Sequence, residues 1–337
     1  MDTEKVIRVR RPIKLWDILK ICLAIALLGY VASKTNFSQL LALRDRFSWN
    51  WFWITFLFFI AMIAIKTAQY YYLLGKKLPY SRILEVVVLQ NALMNFVTTA
   101  AGIASYLTML GAEKNVRLGR ATISFVIVKM VDLMAVLFLL LVSVFLLQPL
   151  PDEATRILVI ISIIALIILS FFIGTILFRR KFAGFLRAMA IKFNLEKVSF
   201  IQKGLSLFDQ LADQSREKIL RIVFTTSALS LFYMILTMGW GYSRLRMFSL
   251  SLGIDVITFV HSILQIVSWV PVLVLGGLGI SETLSVYLFS LFGENQAELA
   301  AIMISARLVF YLMNAFSLLY LPVETLLRTN RSEDGPR

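Results

Sequence analysis

The chain has 337 residues, of which 59% are hydrophobic, and a mean hydropathy of +0.81; soluble domains run at roughly 45–50% apolar, so a water-soluble globular protein is excluded. A single cysteine, Cys22, excludes an internal disulfide, and a single histidine, His261, excludes a multi-histidine metal site. The net charge of +14 bears on membrane topology and anionic lipid rather than on nucleic acid. There is no Cys/His cluster, P-loop, Gly-x-Ser-x-Gly or Asp-x-Asp, so neither soluble-enzyme chemistry nor any cofactor or metal is signalled.

In chain order, the basic flank of Lys5, Arg8, Arg10, Arg11 and Lys14 predicts a cytoplasmic N-terminus without a cleavable signal. A first span is expected over 15–33. Lys34, Arg44 and Arg46 then stand in a loop that should be external, a mild excess of positive charge. Trp49, Trp51 and Trp53 form an interfacial aromatic belt ahead of a span over 51–74. Lys66 and the run Tyr70-Tyr71-Tyr72, near the far end, read as a snorkelling lysine and a second belt. Lys76, Lys77 and Arg82 return the chain to the cytoplasm. Residues 83–112 are apolar but carry Gln90, Asn91, Asn95, Thr98, Thr99 and Ser105, with a break at 98–102. Basic residues on both flanks predict that this segment enters from the cytoplasm and goes back.

Further spans are expected over 121–147, 155–178, 222–240 and 299–321. The loop after the first of these has Asp152 and Glu153 and no Lys or Arg, and reads as external. Between 179 and 221 lie ten Lys/Arg against four Asp/Glu, with Phe182, Phe185, Leu186, Met189 and Phe193 at helical spacing. That pattern fits amphipathic helices on an anionic membrane surface, and equally a cytosolic cap on the bundle. Arg244 and Arg246 are a second exception to the positive-inside count. The expected fold is an all-α polytopic membrane protein of about six full spans and two broken re-entrant hairpins, with both ends cytoplasmic and the plasma membrane as its location. Residues 111–120 are then cytoplasmic and 293–298 external.

The second hairpin, 251–292, holds the most informative stretch. Membrane-grade hydrophobic sequence breaks at Pro271 and at Gly276, Gly277 and Gly279, and Ser281 and Glu282 follow at once. Such a break is tolerated at membrane depth only where the freed backbone is buried in protein or lines a wet cavity. Ser281 is placed to cap the second helix, and Glu282 lies in its first turn, where negative charge is favoured. Glu282 is therefore either a simple helix cap or part of a polar site. The two hairpins look like copies: Gly102-Ile-Ala-Ser lies on Gly279-Ile-Ser-Glu, Lys129 follows Gly102 by 27 residues, and Arg307 follows Gly279 by 28. Three spans separate them, which predicts an inverted repeat with halves 1–178 and 222–325 around the linker 179–221. Lys129 and Asp132, three apart on one helix face, are expected to pair, as a structural ion pair or as part of the site. Arg307 has no acid within a turn; its partner is Glu282 or a ligand phosphate, which the arginine fork suits.

Gly276-Gly-Leu-Gly-Ile-Ser-Glu282 resembles the Pro-Gly-Gly-Leu-Gly-x-x-Glu signature of the lysylphosphatidylglycerol synthase transmembrane region, also called the flippase-like integral membrane family. Leu275 stands in the usual proline place, with Pro271 farther upstream. Lys129-Met-Val-Asp132 resembles the family's Arg-x-x-Asp, while Ala104 and Ser105 replace the acid of the first hairpin. The resemblance implies a module that moves lipids or lipid-linked intermediates between leaflets, here without the soluble aminoacyl-transferase domain of some members. The expected function is flippase- or scramblase-like transport, driven by ions or by the lipid's own gradient. Its binding residues would be Lys129, Asp132, Arg307, Glu282, Ser281, Gly276, Gly277, Gly279 and Gly102. The expected partners are an anionic phospholipid or polyprenyl-linked lipid and the membrane, with a homodimer among the assemblies considered. The alternatives are a membrane-embedded transferase or enzyme subunit acting on a lipid-linked substrate, and a non-catalytic scaffold for envelope synthesis.

Overall fold

The computed structural model describes residues 44–113, 115–116, 118–177, 184, 187–188, 191, 216–268 and 277–321. The expected first span, most of the linker 179–221, and Pro271 and Gly276 fall outside them. The described residues form helices α1 (Trp49–Leu73), α2 (Tyr80–Phe96), α3 (Thr99–Gly111), α4 (Leu118–Leu146), α5 (Asp152–Leu177), α6 (Arg216–Arg246), α7 (Ile254–Val267), α8 (Ile280–Ser290) and α9 (Gln296–Leu318), and no β-strand. The protein is an all-α membrane protein. Helices α1, α4, α5, α6 and α9 each contain a stretch long and apolar enough to cross a bilayer, and they match the five expected spans within the described residues. Helix α6 runs farther at both ends than the span expected over 222–240, so the last part of the linker and both Arg244 and Arg246 are helical.

The four helices of the expected hairpins are shorter. At about 1.5 Å per residue, none reaches the roughly 30 Å of a hydrocarbon core. The α2–α3 break falls at Val97 and Thr98. Thr98 is extended and caps α3, its hydroxyl accepting the Ala101 N–H at 3.0 Å. Gly102, expected within the break, is instead inside α3 and serves a close approach. A Cβ there would stand 2.6 Å from the Gln90 carbonyl oxygen and 2.0 Å from Met94 Cγ, so only glycine lets α3 lie this tightly on α2.

The packing has an internal order. Two sets of four helices, α1 to α4 and α6 to α9, pack alike. Within each set, consecutive helices pack together; between sets, α4 packs on α7 as α9 packs on α2, and α4 on α6 as α9 on α1. The first helices of the two sets, α1 and α6, pack on each other and run antiparallel: Thr55 donates to Ser243 at 3.0 Å, and farther along Gln69 donates to Ser230 at 2.6 Å. Hydroxyl and amide pairs are a common means of joining membrane helices.

The connections sort to two ends of the bundle. At one end Arg46 pairs with Glu298 at 2.5 Å, Ser249 donates to the Arg46 carbonyl at 3.1 Å, and Tyr287 donates to Glu153 at 3.1 Å. At the other, Arg82 pairs with Glu113 at 2.6 Å, joining the start of α2 to the chain just past α3, and Tyr320 donates to the Ser81 carbonyl at 3.4 Å. Arg46, an exception to the charge count, thus has an acidic partner at its own end.

Candidate functional site

A cavity of about 310 Å³ lies among α1, α2, the start of α3, α4, α6, α7, α8 and α9. Its charged lining residues, among those described, are Lys66, Lys129, Arg244 and Arg307 against Asp132 and Glu282. Burying so many charges among membrane helices is costly: a centrally placed one costs about 2.5–3.5 kcal/mol on insertion scales, so such residues are paired or face a polar space. Here they do both.

One pair is built on α8. Gly277 and Gly279 have φ of 79° and 82°, values that residues with a Cβ rarely adopt. The N-cap of α8 is Gly279, and not Ser281 as expected from the sequence. With no side chain at the cap, the carboxylate of Glu282 reaches back, and its Oε2 accepts the Gly279 N–H at 2.7 Å. Its Oε1 accepts from Arg307 Nε at 2.6 Å and from the Ser281 hydroxyl at 2.9 Å. Arg307 also donates to Ser281. Capping and pairing, posed as alternatives for Glu282, are both met by the two oxygens of one carboxylate. Arg307 thereby ties α9 to the first turn of α8.

The second pair differs from expectation. Asp132 is bound by Lys66 of α1, with Nζ–Oδ2 2.5 Å and Nζ–Oδ1 2.7 Å. Ser230 of α6 donates to the same carboxylate at 2.7 Å, and Lys66 also donates to Gln69 at 2.9 Å. Lys66 is therefore no snorkelling residue, and the salt bridge joins α1, α4 and α6 where an intrahelical Lys129 pair was expected. Its ammonium lies 4.0 Å from the centre of the Tyr233 ring. Tyr70, read as belt, is buried and packs on Tyr106 with ring centroids 4.6 Å apart. Lys129 lines the same cavity, 5.9 Å from the centre of the Phe125 ring.

Of the residues singled out in the sequence, Lys129, Asp132, Ser281, Glu282 and Arg307 thus line one cavity. Gly102, Gly277 and Gly279 shape the backbone, and Gly276 falls outside the described residues. Sequence reasoning missed Lys66 and Arg244. The spacing of Lys66 and Gln69, one helical turn apart in an apolar run, was the available signal for the first. His261 of α7 is buried and lines the same cavity, and a Cβ on Gly241 of α6 would stand 2.3 Å from its Nε2.

A helical membrane bundle with paired charges inside is the class this geometry defines. The family model for the lysylphosphatidylglycerol synthase TM region matches residues 18–317, and the chain belongs to that family. Membership ties it to lipid handling in a membrane. No curated protein and no solved structure matches it.

Proposed function

We propose that this protein moves an anionic phospholipid or lipid-linked intermediate between the leaflets of the cell membrane, in the manner of a flippase or scramblase. The observation that carries the reading is the shared cavity: among the described residues, four cations and two carboxylates from both halves of the chain face one space among membrane helices. Two formal positive charges are left over, which suits an anionic head group. The head crosses through this cavity while its tails stay in lipid.

The packing order described above supports an inverted repeat. The first helices of the two sets, α1 and α6, lie antiparallel, and each half contributes one hairpin of short helices beside the cavity. Repeats of this kind place substrate near the midplane, between halves that rock against each other. The Arg82–Glu113 bridge supports a first hairpin that re-enters, because it brings that hairpin's two ends together. In this topology residue 113 faces the cytoplasm and residue 295 the outside. Single cysteines at the two positions, in a chain with Cys22 replaced, should label from opposite sides of intact cells; labelling from one side would remove the inverted repeat.

The functional test is purified protein in vesicles with a labelled anionic phospholipid in one leaflet. Protein-dependent loss of the asymmetry is the expected result. Chemical conversion of a lipid-linked donor in the same vesicles would instead favour a transferase. A folded protein with neither effect would favour a scaffold.

A further inference from the structure

The end of the bundle at Arg46 fastens the two halves of the chain to each other. Asn295 caps α9: its Oδ1 accepts the Ala297 and Glu298 N–H groups at 2.9 and 3.2 Å, which fixes Glu298 in the first turn. Arg46, from the first half, pairs with that carboxylate at 2.5 Å. The backbone around Arg46 is held as well. Ser249 donates to its carbonyl at 3.1 Å, and the Met247 carbonyl accepts the Ser48 N–H at 2.9 Å. Ser249 stands at φ 61°, a left-handed conformation uncommon for a residue with a Cβ. In that conformation its hydroxyl reaches Arg46. Tyr287 and Glu153 add a further tie between the halves. The Arg82–Glu113 bridge at the other end, by contrast, lies within the first half. The ties at the Arg46 end also stand next to the cavity. Met247 is three residues past Arg244, and Glu298 is five before Met303; both Arg244 and Met303 line the cavity.

We propose that the Arg46–Glu298 salt bridge, with the Ser249 contact, is a releasable latch that closes the cavity at the end which the proposed topology places outside. The inference rests on the two halves rocking against each other, as the transport reading requires. When they rock apart at one end, groups joined across them there must separate. Arg46 and Glu298 suit that task, because their side chains are 53% and 36% exposed. An exposed ion pair contributes little to stability, so it parts without unfolding the bundle. The buried Lys66–Asp132 and Arg307–Glu282 pairs cannot part so cheaply, since each would leave an uncompensated charge inside. The Ser249 backbone adds to the release: once its hydroxyl lets go of the Arg46 carbonyl, nothing holds it at positive φ.

The test uses the full-length chain with Cys22 replaced and Met303→Cys as reporter, a buried residue of the cavity wall. Intact cells are treated with a membrane-impermeant maleimide, and the protein is then purified and its labelling and thermal stability measured. Arg46→Ala and Glu298→Ala should each speed labelling about two- to fivefold, the population shift that an exposed ion pair supports. Arg46→Glu combined with Glu298→Arg remakes the pair with its charges exchanged and should return labelling toward the original rate. Unchanged labelling in both single variants, or equally fast labelling in the exchanged pair, would overturn the latch. If the alanine variants do not fold, Arg46→Cys with Glu298→Cys replaces them, bridged in vesicles by a short dithiol reagent that reductant cleaves. Bridging should stop lipid translocation and reduction should restore it. Full translocation by the bridged protein would overturn the latch and leave the transport reading intact. A protein that moves no lipid in either state would defeat the transport reading, and the Met303→Cys labelling would still decide the latch.

Discussion

Glu282→Gln is expected to abolish lipid translocation and to destabilise the protein as well. Both oxygens of this carboxylate accept hydrogen bonds, one from Arg307 and Ser281 and the other from the Gly279 N–H. Glutamine has one carbonyl oxygen. Its NH2 group must therefore face either Arg307 or the Gly279 N–H, donor against donor, while the guanidinium is left buried without its counter-charge. Breaking one side of a buried pair typically costs about 3–5 kcal/mol; a simple helix cap would lose only about 0.3–1 kcal/mol of dipole interaction. Glu282→Met combined with Arg307→Leu separates the roles, since it removes both charges at once. That double variant should regain the stability lost with the broken ion pair, short of the cap on the Gly279 N–H, and still fail to move lipid. If Glu282→Gln is as stable as wild type and moves lipid at the same rate, the α8 pair is not part of the site.

The spans and the position of the first break were legible in the sequence, because hydropathy over a bilayer length and polar interruptions are local signals. The same locality explains what was missed. Lys66 stands near the end of its apolar run, where a lysine can snorkel; only packing brings in Asp132, 66 residues away. Lys129 was one turn from Asp132, and sequence proximity favoured it. Arg244 was assigned to an external loop because the hydrophobic stretch was judged to stop at 240, whereas α6 continues to Arg246. The Glu282–Arg307 partnership was one of two alternatives that the sequence left open for Arg307. Its geometry depends on a glycine N-cap whose own N–H needs an acceptor, a requirement visible only once Gly279 is seen at positive φ.

Lys66→Ala is expected to cost far more stability than Lys129→Ala, although both lysines line the cavity. Lys66 makes two contacts with Asp132, and Asp132 is buried and also accepts from Ser230. Removing Lys66 leaves the carboxylate among three helices without that salt bridge, a loss of about 3–5 kcal/mol. Removing Lys129 leaves the salt bridge to Lys66 in place, so its effect should fall mainly on lipid binding and translocation. Double variants sharpen the contrast. Lys66→Met with Asp132→Leu removes both charges of the pair and should restore folding. Lys129→Met with Asp132→Leu strands the Lys66 ammonium and should not. Thermal unfolding of the four variants in one detergent decides the matter. Equal losses for the two single variants, or rescue by the Lys129 double variant, would return the pairing to α4 alone. Rescue by the Lys66 double variant with full translocation would make this pair purely structural, and would confine the ligand's charge to Lys129 and the α6, α8 and α9 side of the cavity.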